Sequence, residues 1–377
     1  MRDRVRSRAG ESERMRTLAP GVVEDMRVAG LFSAFNPVEA GGSEPSFAAM
    51  IETWIEMAWQ DGAFGWVGVT NLLSAFGAAT YLPDDGFAEV FGAGADRIAI
   101  GGQYFPNGTG TVVPGGYRLS GSWKFGSGIN HAQFIVAGFC PIDNGEVRWK
   151  SEGVPDWRVA VLPRDQVTIK DSWHVQGLKG TGSYDYSADN LFVPDVRTYP
   201  TFTRQPHRGN SPAAHMGIVP LGAAGHASWA LGVAKSMLDD VRDLAATKCR
   251  EGDDTGLAGR PTFQRGFAHH VAAWRAAYLL VVDAFTEAEA AVADGLKLTA
   301  GQRADMRAAA VYATDVARRC AEWAHLSVGT SAILEETRIE RAFRDIYTGT
   351  QHSFISETVA IDAAQIWLGV AFDKVGL

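Results

Sequence analysis

GSWKFGSGINHA, residues 121–132, closes an alternating run and passes within a few residues into a glycine-rich bend. Its flank YRLSGSW shares the period-two pattern of half-buried strands with IAIGGQY, FIVAGFC, WRVAVLP and QVTIK, each bounded by turn signals. Pro114-Gly115-Gly116 interrupts the run before it as a hairpin turn would. The stretch therefore belongs to a small, mostly antiparallel β-domain occupying the middle third of the chain. Ser127 stands between two glycines, but the full pattern of a hydrolase nucleophile elbow is absent.

On both sides of this region the period is helical. In FAAMIETWIEMAWQDG, Phe47, Met50, Ile51, Trp54, Ile55 and Ala58 recur at three and four, with Ser43 or Ser46 available as a cap and Gly62 as a terminator. After Pro200, helical segments fall near 219–248, 263–294 and 301–328. In the last of these, Met306, Ala310, Ala313, Val316, Ala317, Cys320 and Trp323 share a face, and Arg307, Arg318 and Arg319 fall mostly off it. Long helices with small and apolar faces pack as bundles. The expected fold is α+β and mainly helical: an N-terminal helical domain (1–97), a central antiparallel β-domain (98–200) and a C-terminal four-helix bundle (201–377).

The bulk properties narrow the function. A chain of 377 residues buries a large core unaided, and a net charge of −8 disfavours nucleic acid as the partner. Cys140, Cys249 and Cys320 are far apart without metal spacing, which suits reduced thiols in the cytoplasm. Residues 209–234 contain no Asp, Glu, Lys or Arg, but small residues, Pro220, His215 and His226 dilute the apolar character, so a buried helix is expected rather than a membrane span. Gly108-Thr109-Gly110 lacks the third glycine and the strand-to-helix setting of a dinucleotide loop. His269 and His270 are adjacent on a predicted helix and cannot share one metal, and no metal site is expected.

Four segments in order resemble the acyl-CoA dehydrogenase superfamily: GSWKFGSGINHA (121–132), WHVQGLKGTGSYDYSADNLFVP (173–194), ALGVAKSMLDDVRDLAATK (230–248) and RIERAFRDIYTGTQH (338–352). The dehydrogenases of that superfamily place a glutamate before Gly-Thr as the base; here the segment is Tyr347-Thr348-Gly349-Thr350. The alternative position for that base falls near His215 or Met216, neither of them a carboxylate. The chain is closer to the two-component, or group D, flavin-dependent monooxygenases in Ser127, in the glycine-rich loop Gly177 to Ser183, and in His352 shortly after Arg344-Asp345.

The resemblance implies oxygenation of an aromatic or polycyclic small molecule through a C4a-peroxyflavin, using FMN or FAD supplied in reduced form by a separate flavin reductase, in a homotetramer. It assigns His352 and Ser127 to catalysis, His352 as a base toward a phenol and Ser127 as a hydrogen-bonding group near flavin N5. Trp123, Phe125, Ser127, Gly128, Thr181, Ser183 and Arg260 are its flavin contacts, Arg260 through the phosphate across a subunit boundary. Gln103, Trp173 and His352 are expected to face the substrate. Two other readings are an FAD-dependent acyl-CoA dehydrogenase with a relocated base and a non-catalytic protein that keeps the fold. Reduction of bound flavin by an acyl-CoA identifies the first, and failure to bind flavin the second.

Overall fold

The computed structural model describes residues 1–92, 94, 97–151, 153–249, 255–335 and 337–373. Five helices come first: α1 (Arg2–Met15), α2 (Pro20–Val28), α3 (Phe47–Gln60), α4 (Gly62–Tyr81) and α5 (Asp84–Phe91). Ser46 caps α3 by accepting the Ala49 amide proton, and the expected stripe from Phe47 to Ala58 is buried. Gly62 does not end that helix. Extended backbone at Asp61 stops α3, and the Asp61 carboxylate accepts the Phe64 amide proton at 3.0 Å, so Gly62 opens α4 instead. The 20 residues of α4 include no charged side chain, and almost all of them are buried against α3, α7 (Ile218–Ala245) and β1 (Ile100–Val113). Apolarity on every side is what a helix at the centre of the molecule requires.

The β region adds β2 (Gly116–Gly126), β3 (Phe134–Asp143), β4 (Glu146–Val147), β5 (Trp149–Ser151), β6 (Val154–Pro155), β7 (Arg158–Pro163), β8 (Thr168–Lys170), β9 (Tyr184–Pro194) and β10 (Thr198–Pro200). The main sheet runs β10-β7-β3-β1-β2-β9-β8, with β4 on β3, and β5 pairs with β6 apart from it. The sheet is mostly antiparallel, as expected, with one exception: β1 and β3 pair in parallel, so the sheet is mixed. Alternation reveals which residues face inward but not which way a neighbouring strand runs. The segment after β2 crosses the end of β1 to reach its far side, and that crossing carries Ser127 and Gly128. It passes so close that a Cβ on Gly101 would lie 2.7 Å from the Ser127 carbonyl oxygen.

The remaining helices are α6 (Pro212–Met216), α7, α8 (Pro261–Ala293), α9 (Ala300–Ser327), α10 (Arg338–Gly349) and α11 (Glu357–Trp367). They form the bundle, with α9 packed on α7, α8 and α11. The uncharged stretch expected to be a buried helix is buried from Pro220 to Ala234 within α7. Among the described residues no helix is long and apolar enough to cross a membrane. On α9 the predicted face is buried from Met306 to Cys320, but Arg307, expected to lie off it, is only 5 % exposed.

Candidate active site

Three hydroxyls meet where the β2–β3 crossing, the loop before β9 and α4 converge. The Trp66 indole N–H donates to Ser127 Oγ at 3.0 Å, Ser127 Oγ lies 2.7 Å from Ser183 Oγ, and Ser183 Oγ lies 2.6 Å from Thr181 Oγ1. Thr181 in turn donates to the Leu178 carbonyl at 2.8 Å. An indole can only donate and a carbonyl can only accept. The protons must therefore run one way, from Trp66 through Ser127, Ser183 and Thr181 to Leu178. With its own proton committed to Ser183, Ser127 has only a lone pair to offer a ligand.

The loop is pinned from several sides. Leu178 adopts φ +54°, and its carbonyl also accepts from Trp173 Nε1 at 3.1 Å. Its amide donates to Asp345 Oδ1 at 2.5 Å, and Arg344 Nη1 donates to the Gln176 carbonyl at 2.8 Å and pairs with Glu13, while Nε and Nη2 pair with Glu340. Gly128, at φ +71°, donates its amide proton to the Thr181 carbonyl at 3.0 Å, and a Cβ there would lie 2.8 Å from the Asn71 amide. A side chain at that position would push the crossing away from α4.

Asp345 is 2 % exposed, and its Oδ2 has no hydrogen-bond partner. Burial, and next the neighbouring Asp61 carboxylate, raise its pKa well above the ordinary carboxylate range. The folded chain keeps this proton over a pH range in which the unfolded chain has lost it, so stability falls as pH rises above the usual carboxylate pKa. Asp345→Asn retains an acceptor for Leu178 and cannot ionise. It is expected to flatten that fall and to melt a few degrees above the parent at about pH 8, with the gap closing toward about pH 4. Thermal melts across this range that show the same pH slope in both proteins would count against a proton on Asp345.

On the other side of Trp66 lies a group of rings. Trp66 packs edge-on against His226 at 5.4 Å, Trp229 at 4.9 Å and His352 at 5.4 Å, and the two imidazoles are 5.5 Å apart. His226 Nε2 donates to the Gly349 carbonyl at 3.2 Å. Burial, with His352 as the next cause, pushes its pKa down to about 3. His352 follows α10 and caps the next turn, its Nδ1 accepting the Phe354 amide proton at 3.2 Å. Burial, and then the Arg307 charge, lower its pKa to about 4. With Nδ1 already an acceptor, the neutral ring carries its proton on Nε2. In this geometry His352 presents a donor, and taking a phenol proton would require breaking the capping bond.

Among the described residues no carboxylate is hydrogen-bonded to this group. The threonine at the dehydrogenase-base position, Thr348, donates to its own helix at the Arg344 carbonyl, 2.9 Å away, and at the alternative position His215 is exposed while Met216 is buried. The other predicted residues are dispersed. Trp123 is fully buried inside the sheet, donating to the Gly138 carbonyl at 2.7 Å and stacked 5.2 Å from Tyr186, so it is packed in the core rather than presented to a ligand. A register shift after Trp123, with Phe125 at φ +64°, breaks the alternation. It turns Phe125 outward to 59 % exposure, edge-on to Trp173 at 6.2 Å. Gln103 folds back on its own strand, Oε1 accepting the Phe105 amide proton at 3.1 Å. Arg260 caps the start of α8, whose main neighbours are α7 and α9 and not the Ser127 crossing.

Trp66, His226 and Arg307 were not singled out from sequence as site residues. Trp66 sits in the uncharged helix α4 and His226 in the uncharged N-terminal half of α7, neither with a local motif, and each reaches its partner across the fold, Trp66 to Ser127 and His226 to Gly349. The one available signal was a polar or amphipathic ring within a long uncharged stretch.

Residues 224–357 match the family model described as acyl-CoA dehydrogenase, C-terminal domain. Along 97 % of its length the chain is 28 % identical to an indole-3-acetate monooxygenase of Pseudomonas putida, spanning 91 % of that protein. It is 31 % identical to the FADH(2)-dependent resorcinol hydroxylase, oxygenase component, of Rhizobium sp. (strain MTP-10005), over 76 % of this chain and 71 % of that one. The crystal structure of 3-HSA hydroxylase from Rhodococcus sp. RHA1 superposes with a TM-score of 0.90 at 22 % identity, covering 100 % of this chain and 97 % of that one. The chain is an oxidoreductase that uses reduced flavin, and it belongs to the flavin-dependent monooxygenases of the acyl-CoA dehydrogenase superfamily.

Proposed function

We propose that the protein is the oxygenase component of a two-component system, inserting one oxygen atom into an aromatic small molecule at the surface formed by Ser127, Trp66 and His352. The observation that carries this reading is the one-way hydroxyl chain beside two neutral imidazoles, with no carboxylate among the described residues bonded to the imidazoles or to Trp66. Proton abstraction beside a thioester, the dehydrogenase reaction, lacks a base here.

The residues fit a reduced flavin. Ser127 offers an acceptor lone pair, which suits the N5–H of reduced flavin and not the unprotonated N5 of the oxidised form. Gly128 and the loop from Leu178 to Ser183 supply close-lying backbone, and exposed Phe125 with Trp173 supplies apolar surface. Arg260, remote from this group in its own chain, suits the phosphate of a flavin held by a neighbouring copy in a homotetramer. Bound reduced flavin supplies the electrons for dioxygen activation, one oxygen atom entering the substrate and the other leaving as water. His352 Nε2–H orients an acceptor atom of the substrate, while the ring cluster excludes water. Gln103 lies on the central strand β1, whose start the Ser127 segment crosses. A separate flavin reductase supplies the cofactor, and the setting is the cytoplasm.

The test is anaerobic titration with reduced and oxidised FMN and FAD, followed by mixing with labelled dioxygen and a panel of phenols and indoles. Tighter binding of reduced flavin and one labelled oxygen atom in the product are expected. Reduction of bound oxidised flavin by an acyl-CoA would overturn the reading. Ser127→Ala removes the acceptor and is expected to raise the ratio of hydrogen peroxide to product by about 2- to 10-fold, the range for one lost hydrogen bond. An unchanged ratio removes Ser127 from the site.

A further inference from the structure

Arg307 is the feature this reading leaves unused. Its side chain is 5 % exposed, the guanidinium carbon lies 4.6 Å over the Phe354 ring, and Nε and Nη1 have no hydrogen-bond partner. One turn earlier on α9, Arg303 is paired with Asp373 at 2.6 Å. Asp362 on α11 opposes the Arg307 charge through space. Idle N–H groups on a buried guanidinium are unfavourable unless something completes them. The planar fork matches the two oxygens of a carboxylate.

Its position relates it to the candidate active site. The Phe354 ring is 5.6 Å from the His352 ring, and His352 is 5.4 Å from Trp66, which donates to Ser127. The guanidinium therefore stands one ring beyond His352 at the end of an aromatic row. Its charge contributes to the lowered pKa of both His352 and His226, so the imidazoles stay uncharged and Arg307 is the cation of this group.

We propose that Arg307 is the anion anchor of the substrate pocket, and that the protein acts on aromatic acids whose ring lies beside His352 and whose carboxylate is taken by the Arg307 fork. This rests on the oxygenase reading above. The same oxyanion chemistry could serve the phosphate of a flavin. The surroundings favour the carboxylate, because the Phe354 ring under the guanidinium continues into the His352 and His226 rings, a row of aromatic surface that suits a planar acid.

The test measures equilibrium binding of phenylacetate and indole-3-acetate, each against its matching alcohol, 2-phenylethanol or indole-3-ethanol. Protein loaded with reduced FMN is used without oxygen. At least one acid is expected to bind about ten-fold tighter than its alcohol, the scale of a charge-assisted bidentate pair. Arg307→Met is expected to abolish that preference and Arg307→Lys to keep part of it. A parent protein without any acid preference, or an Arg307→Met variant that keeps it, overturns the proposal, and the first of these requires no variant to fold. Reduced FMN and riboflavin are titrated in parallel. An Arg307→Met variant that loses affinity for FMN but not for riboflavin assigns the residue to the phosphate and also overturns the proposal. Normal binding of reduced FMN without acid preference refutes the anchor alone, whereas acid preference without binding of reduced FMN supports the anchor and refutes the oxygenase reading.

Discussion

His352→Ala is expected to cut product formed per reduced flavin by about 10- to 100-fold, within the range for loss of a positioned catalytic-site group. Reduced-flavin binding should be unaffected, because Ser127 and its chain do not bond to the imidazole. The variant also loses the cap on the Phe354 amide, at a cost of about 1 kcal/mol in stability. His352→Asn separates the two effects, since its shorter side chain can still cap but cannot extend a donor to where Nε2 stands. It is expected to melt like the parent and turn over like the alanine variant. Because burial and the Arg307 charge hold the His352 pKa near 4, parent activity should be flat through neutral pH, without an inflection at the ordinary imidazole value of about 6.5. An inflection near that value that disappears in the asparagine variant would show an imidazole titrating in the open, contrary to this structure.

The largest loss of stability is expected from Gly349→Ala. Gly349 is the last residue of α10, and a methyl group there would lie 2.2 Å from both Cη2 and Cζ3 of Trp229. That indole is fully buried and anchored by its N–H to the Gly62 carbonyl at 2.8 Å, so it cannot swing aside without breaking a buried bond. Overpacking of this kind costs about 1–3 kcal/mol or somewhat more. In a chain of this size the melting temperature should fall by roughly 1 to 4 °C. The Gly349 carbonyl also accepts from His226, so displacement of α10 would disturb the imidazole pair. Gly301→Ala is the control: its nearest neighbour would be Thr299 Oγ1 at 3.8 Å, and exchanging glycine for alanine in a helix is neutral to slightly favourable. Equal melting of the Gly349→Ala variant and the parent would mean that α10 and Trp229 do not pack as described.

The alternation of helical and strand periods made the order of elements legible, because inward-facing residues recur at 3.6 or 2 whatever the tertiary context. Ser127, Thr181 and Ser183 were each legible as candidates because glycine-rich loops announce themselves, and the structure joins the three in one hydrogen-bonded chain. Strand direction was not legible, and β1 and β3 run parallel because a crossing segment, not a hairpin, joins β2 to β3. Trp123 was drawn toward the flavin by its place in a motif, but the register shift at the end of β2 separates it from Phe125. Arg307 was hidden by the rule that arginine on an amphipathic helix faces water. That rule fails where the neighbouring helices leave room for a buried cation stacked on Phe354. Trp66 and His226 depend on contacts made across the fold, which no local window reveals.

On the proposed placement of the flavin, the fixed proton order from Trp66 to Leu178 bears on how the enzyme would empty itself. Once the electrons have passed to oxygen, the spent isoalloxazine no longer carries a hydrogen at N5, and its lone pair would face the lone pair of Ser127. Reversing the hydroxyls to relieve that clash is barred by an indole at one end and a peptide carbonyl at the other. With Ser127 against N5 as proposed, the site would grip the charged-up carrier and reject the discharged one, so that a diffusing supply could be exchanged at every cycle without a moving part.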